Sequence, residues 1–183
     1  NFHKDISIEA MRHGKHVICE KPLAATPEDA EQMLLTARAQ GVKLMTNFNH
    51  RRHDHNQRAK KILDEGLIGR PLFVRGRIGH GRFIVGPSPL GPGRFQCVDT
   101  WYTDTRQSGG GSLTDNGVHL LDLARWFLGD EFIEAQGYAT HSLDICEKRP
   151  DGSLAFSRHC EAEDNGFGLF KTEDGRVATL HSS

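Results

Sequence analysis

The 183-residue sequence contains no apolar run approaching the length needed to cross a bilayer. It has no CxxC pair, no internal repeat and no low-complexity tract. Neither charge is in excess: 23 basic residues stand against 24 acidic ones. The basic residues are spread along the chain, without the clustered surface a nucleic-acid partner usually requires. The four cysteines, Cys19, Cys97, Cys146 and Cys160, are far apart. They need not pair, and they read as free thiols in a reducing cytoplasm. Also missing is a G-x-G-x-x-G fingerprint, since Gly76, Gly79 and Gly81 have the wrong spacing for one. Residues Asn1 to Ile8 are unlike a signal peptide. What the sequence does have is 37% apolar residues, enough for a hydrophobic core.

The pattern divides near residue 49. Before it, helical spacing over Ile6–His13 stops at Gly14, and His16–Cys19 is a short apolar run suited to a buried parallel strand. Thr26-Pro27-Glu28-Asp29 is a strong helix start, with a hydroxyl cap, proline in the first turn and acids beside it. That helix is expected to reach about Gln40, followed by a strand over Val42–Phe48. Helix, strand, helix, strand at this pitch implies an open α/β sheet. After it, a helix over Asn56–Glu65, a strand over Leu72–Ile78 and a long Gly/Pro-rich loop over 84–111 are expected. A helix over Leu113–Leu128 follows, then strands from Phe132, with turns at Asp151-Gly152 and Asp174-Gly175. The chain is thus expected to hold the end of a Rossmann-type domain (1–49) and the start of an α+β domain with a mostly antiparallel sheet (50–183). Both ends read as cut, with the first helix opening the chain and the last strand closing it.

Three clusters can carry chemistry. Lys21, in Glu20-Lys21-Pro22, follows a buried strand directly, and ligands of open α/β sheets lie outside the carboxyl ends of the strands. From position alone, an ordinary charged turn is the simpler account. Asp115 and His119 are four apart, which puts both on one face of the Leu113–Leu128 helix. Gly109-Gly110-Gly111 before them permits close approach of backbone and ligand. Asp115 as a helix cap and His119 as a surface histidine explain the same residues. His50-Arg51-Arg52-His53-Asp54-His55 offers imidazoles, but its arginines repel a cation, so no metal site is expected. A patch for an anion, or a solvated loop, fits better.

The two best-defined stretches resemble the Gfo/Idh/MocA family, the relatives of glucose–fructose oxidoreductase and inositol dehydrogenase. Gly14-Lys15-His16-Val17-Ile18-Cys19-Glu20-Lys21-Pro22-Leu23-Ala24 is similar to its GKHVxCEKPLA segment. Gly109-Gly110-Gly111-Ser112-Leu113-Thr114-Asp115-Asn116-Gly117-Val118-His119 is similar to its GGGxLxDxGxH segment. The resemblance implies an NAD- or NADP-dependent oxidoreductase acting on a secondary hydroxyl of a sugar, cyclitol or related polyol. A glycoside hydrolase or lyase of the same fold, or a sensor without turnover, are the other readings it admits. It implies Lys21, Asp115 and His119 as the reacting groups, with His119 as acid/base. Asn1, His3, Glu20, Lys21, Asn49 and Arg51 would face the cofactor, although Arg52, His53 and Asp54 depart from the family pattern. His80, Arg94, Trp101 and Asp104 are candidate substrate contacts. A homo-oligomer joined through the open sheet is expected, with no nucleic-acid or membrane partner and a cytoplasmic location.

Overall fold

The computed structural model describes residues 2–79, 84–87, 95–98 and 101–183. Asn1, His80 and Arg94 lie outside the described residues. The chain divides into two compact units, Asn1–Ala59 and Lys60–Ser183.

In the first unit, helix α1 (His3–Arg12) leads to strand β1 (Val17–Glu20), helix α2 (Pro27–Ala39) and strand β2 (Leu44–Asn47). Helix α2 starts where its sequence dictates: the Thr26 hydroxyl accepts the Asp29 N–H at 3.2 Å, and Pro27 occupies the first turn. Gly14 and Gly41 end α1 and α2 with φ of 70° and 63°, a conformation that costs glycine little. The core is Met11, Cys19, Met33 and Ala37, with Val17, Leu23 and Leu44 packed around it. Each fully buried methionine contributes about 1.5–3 kcal/mol of transfer energy. Strands β1 and β2 pair in parallel, with Val17 beside Leu44 and Glu20 beside Asn47. That register brings Glu20 and Asn47 side by side at the carboxyl ends. A 3₁₀ turn (Asn49–Arg52) then leads into helix α3 (Asp54–Asp64).

Among the described residues, the second unit holds two four-stranded sheets. One contains β3 (Phe73–Ile78), β6 (Phe132–Thr140), β9 (Asn165–Thr172) and β10 (Val177–Ser182), in the order β3-β10-β9-β6. The other contains β4 (Ile84–Pro87), β5 (Phe95–Val98), β7 (Leu143–Lys148) and β8 (Leu154–His159), in the order β4-β5-β7-β8. The pairings are antiparallel except β3–β10 and β5–β7, which are parallel. The sheets are therefore mixed, and mostly antiparallel as expected. Turns at Asp151-Gly152 and Asp174-Gly175 link β7 to β8 and β9 to β10, with both glycines at positive φ.

Two expectations are corrected. The 84–111 stretch is no single loop: its described parts include β4, β5, a 3₁₀ turn (Trp101–Thr103) and the short helix α4 (Thr105–Ser108). Strand β4 pairs with β5, and β5 with the distant β7, a pairing that the local Gly/Pro content hides. The Leu113–Leu128 helix begins as one wide π turn (Leu113–Gly117), and only then becomes α5 (Val118–Leu128).

Helix α5 packs on β3 and β10 through Ala124, Ala178 and Leu180, with Val74, Leu120, Leu121 and Phe170 alongside. Arg176 fastens the far end of α5 to the β9–β10 turn. Its guanidinium donates to Leu128 O at 2.6 Å, Asp130 Oδ2 at 2.7 Å and Asp174 Oδ1 at 2.9 Å. Among the described residues, no helix is long and apolar enough to cross a membrane.

Candidate active site

Parallel pairing in the first unit gathers polar groups at one edge. The Asn47 Nδ2 donates to Glu20 Oε1 at 2.6 Å, while Asn47 Oδ1 is buried with no hydrogen-bond partner among the described residues. Lys21 follows Glu20 and is joined to Pro22 by a cis peptide bond. His3, in the first turn of α1, places its Nδ1 2.8 Å from Pro22 O, which ties the helix start to this turn. Asn49 and Arg51 lie in the 3₁₀ turn just beyond β2. That turn is held by Asn56 Nδ2, which donates to His50 O at 2.8 Å, and by Gln57 Nε2, which donates to Arg51 O. Four of the expected cofactor contacts, His3, Glu20, Asn49 and Arg51, are thus gathered with Lys21 around the carboxyl ends of β1 and β2. Asn47 belongs with them and was not expected. Its sequence signal is its place in the Asn47-Phe48-Asn49-His50-Arg51 stretch, at the end of the expected Val42–Phe48 strand, which the structure ends at Asn47.

The histidines after β2 form a chain of ring contacts, His50 to His53 at 4.9 Å and His53 to His55 at 5.4 Å. Burial pushes the His50 imidazole below its usual value, helped by the charges of His53, Lys21 and His55. Among the described residues, no set of three or more His, Cys, Asp or Glu side chains is arranged to hold a metal ion.

In the second unit, a cavity of about 720 Å³ opens beside the start of the π turn. Asp115 and Asn116 stand on its wall, with Tyr102, Ser142, Asp164 and Asn165 around them. His119, the second residue of α5, is only 5% exposed. The surface-histidine reading of this residue is therefore overturned. So is the reading of Asp115 as the helix cap: the capping is done by Glu163, from the link between β8 and β9. Its carboxylate accepts the N–H of Gly111 at 2.7 Å, of Leu113 at 3.0 Å and of Thr114 at 3.4 Å. Its backbone carbonyl accepts the N–H of Ser112 at 2.8 Å. These are the four amides that a helix start leaves without internal partners. The Asp115 N–H is the first to bond within the helix, to Gly111 O at 2.9 Å.

The three glycines make this approach possible. Gly109 ends α4 at φ 81°. A Cβ on Gly111 would lie 2.0 Å from Glu163 O, and one on Gly110 would lie 2.2 Å from Thr114 Oγ1. Ser112 and Ser182 hydroxyls meet at 2.7 Å and fasten the same turn to β10. Asp164 anchors the neighbouring residue from the other side, accepting from Thr140 Oγ1 at 2.8 Å and from the Ser142 N–H.

Two candidate substrate contacts have other roles visible. Asp104 caps α4 and binds Arg106 Nε at 2.9 Å and Gln107 Nε2 at 2.9 Å. The Arg106 guanidinium holds its carboxyl well below the usual range. Trp101 stacks on the cavity-lining Tyr102, with ring centroids 3.7 Å apart. Cys160 also lines the cavity, its thiol drawn down to about 7 by a hydrogen bond with Cys97 against the opposing effect of burial.

Comparison with known proteins gives this geometry a context. Residues 1–48 match the model of an oxidoreductase family with an NAD-binding Rossmann fold, and residues 56–183 match the Gfo/Idh/MocA C-terminal domain. The chain is 37% identical over 182 residues to 1,5-anhydro-D-fructose reductase of Ensifer adhaerens, covering 100% of this chain and 47% of that protein. It is 35% identical over 130 residues to levoglucosan dehydrogenase of Pseudarthrobacter phenanthrenivorans, covering 71% of this chain and 31% of that one. Among solved structures, an oxidoreductase domain protein from Kribbella flavida matches with a TM-score of 0.82 at 27% identity, covering 100% of this chain and 47% of that one. Aldose–aldose oxidoreductase from Caulobacter crescentus, complexed with glycerol, matches with a TM-score of 0.76 at 28% identity, with the same coverage. The chain spans less than half the length of these relatives. With both units matched by its models, and a relative 37% identical along the chain, this protein belongs to the Gfo/Idh/MocA oxidoreductase family.

Proposed function

We propose that the chain carries the reacting groups of an NAD- or NADP-dependent oxidoreductase that acts on a secondary hydroxyl of a sugar, cyclitol or related polyol. The observation that carries this reading is the placement of Asp115 on the wall of a cavity that Tyr102, Ser142 and Asn165 also line, with His119 buried one turn further along the helix. Such a lining suits a ligand rich in hydroxyls, and relatives are named for 1,5-anhydro-D-fructose, levoglucosan and inositol.

Bound NAD(P) would supply the hydride acceptor. The residues around the carboxyl ends of β1 and β2 fit its nicotinamide end. Asn47 Oδ1 is a buried acceptor available to a donor, Glu20 is bonded to the same amide, and His3, Asn49 and Arg51 lie in the elements that adjoin this strand end. The chain's own chemistry is the proton and the charge. His119 takes the hydroxyl proton, a task suited to an imidazole whose ordinary pKa of roughly 6.5 lies near working pH. Asp115 orients the imidazole and stabilises its charged form. The Lys21 ammonium stabilises the developing alkoxide, an effect that strengthens as water is excluded. Trp101 offers a ring face to the sugar beside Tyr102.

The open face of the β3-β10-β9-β6 sheet, with Tyr138 84% exposed and Phe167 stacked on His181 at 4.3 Å, is the proposed contact between copies of the protein. The protein's cysteines are not joined in disulfides, which supports a reducing, cytoplasmic setting.

The test is His119→Ala in the full-length protein, assayed by nicotinamide absorbance over a panel of aldoses, anhydro sugars and cyclitols. Turnover per folded molecule should fall about 10²–10⁴-fold. Near-normal turnover would overturn the reading.

A further inference from the structure

We infer that Glu163 is the positioning residue of this reaction: it sets the angle at which the π turn delivers Asp115 to the cavity and His119 behind it. The inference rests on the function proposed above, and nothing in the Gly-Gly-Gly stretch itself points to residue 163.

Four successive amides, Gly111 to Thr114, donate to this one residue, three to its carboxylate and one to its carbonyl. A helix start held at four points by one residue has little freedom to rotate about its axis. Rotation matters here because Asp115 is only one residue beyond the last of these amides. Glu163 also lines the cavity, but both its carboxylate oxygens are turned to the backbone, Oε2 to Gly111 and Oε1 to Leu113 and Thr114, which makes holding the turn its visible work. Its negative charge also complements the positive end of the helix, where such bonds are strongest.

The anchor is itself fixed. Asp164 N donates to Thr140 O at 3.0 Å, and the Asp164 carboxylate takes the Thr140 hydroxyl and the Ser142 N–H. Glu163 therefore transmits the position of the β6–β7 connection to the helix start. Leu113 reinforces it by packing where Gly166 has no side chain, since a Cβ there would lie 2.5 Å from Leu113 Cδ1. A displacement of about 1 Å in a reacting group can cost on the order of 10²-fold in rate, so loss of this anchor should appear in turnover.

The experiment compares Glu163→Ala, Glu163→Gln and His119→Ala in the full-length enzyme. Assays are run well below each variant's melting temperature and expressed per folded molecule. Glu163→Gln keeps one acceptor oxygen for Leu113 and Thr114. It should lose about two- to fivefold in kcat, while Glu163→Ala loses roughly 10–10²-fold, each with KM nearly unchanged. Amide hydrogen exchange at Gly111, Leu113 and Thr114 should accelerate in the same order. If His119→Ala destroys turnover while both Glu163 variants keep wild-type kcat, the inference is overturned and the function stands. If KM changes in place of kcat, Glu163 is a substrate contact and the inference is likewise overturned. If His119→Ala keeps turnover, the function itself has failed; the exchange rates still report whether Glu163 holds the turn. Should Glu163→Ala fail to fold, Glu163→Gln decides alone: a measurable drop in kcat at constant KM supports the inference, and an unchanged kcat overturns it.

Discussion

Replacing Gly111 with alanine tests the site's construction more directly than any change to a reacting group. The added Cβ would lie 2.0 Å from Glu163 O, 2.7 Å from its N and 2.8 Å from its carbonyl carbon. All three atoms are backbone, so no rotamer change relieves the clash. The chain must separate there, which adds an overpacking cost of about 1–3 kcal/mol. Separation also breaks the 2.7 Å bond from Gly111 N–H to the Glu163 carboxylate, worth roughly 1.5–3 kcal/mol for a charged acceptor. The sum, about 2.5–6 kcal/mol, corresponds to a melting temperature lower by roughly 5–24 °C for a chain of this size. Gly109→Ala is the comparison, because its obstacle is conformational: φ is 81°, and alanine there costs about 1–2 kcal/mol. Thermal melting of both variants, followed by circular dichroism, should therefore rank Gly111→Ala as clearly worse. A second variant isolates the cause. Adding Glu163→Ala to Gly111→Ala should restore nothing, since the obstructing atoms remain. Recovery of stability in the double variant, or a Gly111→Ala melt within a degree or two of wild type, would refute the reasoning.

Other outcomes follow from single features. Arg176→Met should destabilise by about 1–3 kcal/mol in urea titration, because Leu128 O loses its guanidinium donor and Asp130 its ion-pair partner, while Asp174 keeps Arg70 and the Thr172 hydroxyl. Asp174 is held well below the usual carboxyl range, first by Arg176 and then by the Thr172 hydroxyl. Its contribution is therefore present above an unfolded pKa of about 3.9 and is lost as pH falls toward the lowered folded value. Between pH 5 and 2, roughly, wild type should lose melting temperature more steeply than Asp174→Asn; parallel slopes would show that the Arg176 bond is not what acid breaks. Tyr138→Asp, on the open sheet face, should shift the protein to a smaller species in analytical ultracentrifugation with turnover retained; an unchanged mass would remove this face as the contact.

Much of the fold was legible because local rules decided it. Thr26-Pro27 announced α2, Gly14 and Gly41 stopped two helices, and Asp174-Gly175 turned β9 into β10. What stayed hidden depends on partners far along the chain. Strands β4 and β5 are four residues each, set among glycines and prolines, and become strands only through pairing that reaches β7. The parallel runs of β3 beside β10 and β5 beside β7 leave no mark in either strand's own pattern. The π turn is similarly silent: the apolar spacing from Leu113 to Leu128 satisfies an ordinary helix.

The candidate site divides along the same line. Lys21 and Asp115 could be located because each follows a local signal, a strand end or a glycine run. The glycine run permits close approach of a ligand, and Gly110 and Gly111 do line the cavity; the structure adds a second use, the close approach of Glu163. This changes what the motif means. Three glycines in succession would leave a helix start loose, since each adds backbone freedom in the unfolded chain and none brings a cap. Four amides on one residue remove that freedom and fix the turn from which Asp115 and His119 project. The glycines and the glutamate are thus one device split across 52 residues, of which sequence reading could see only the half that comes first.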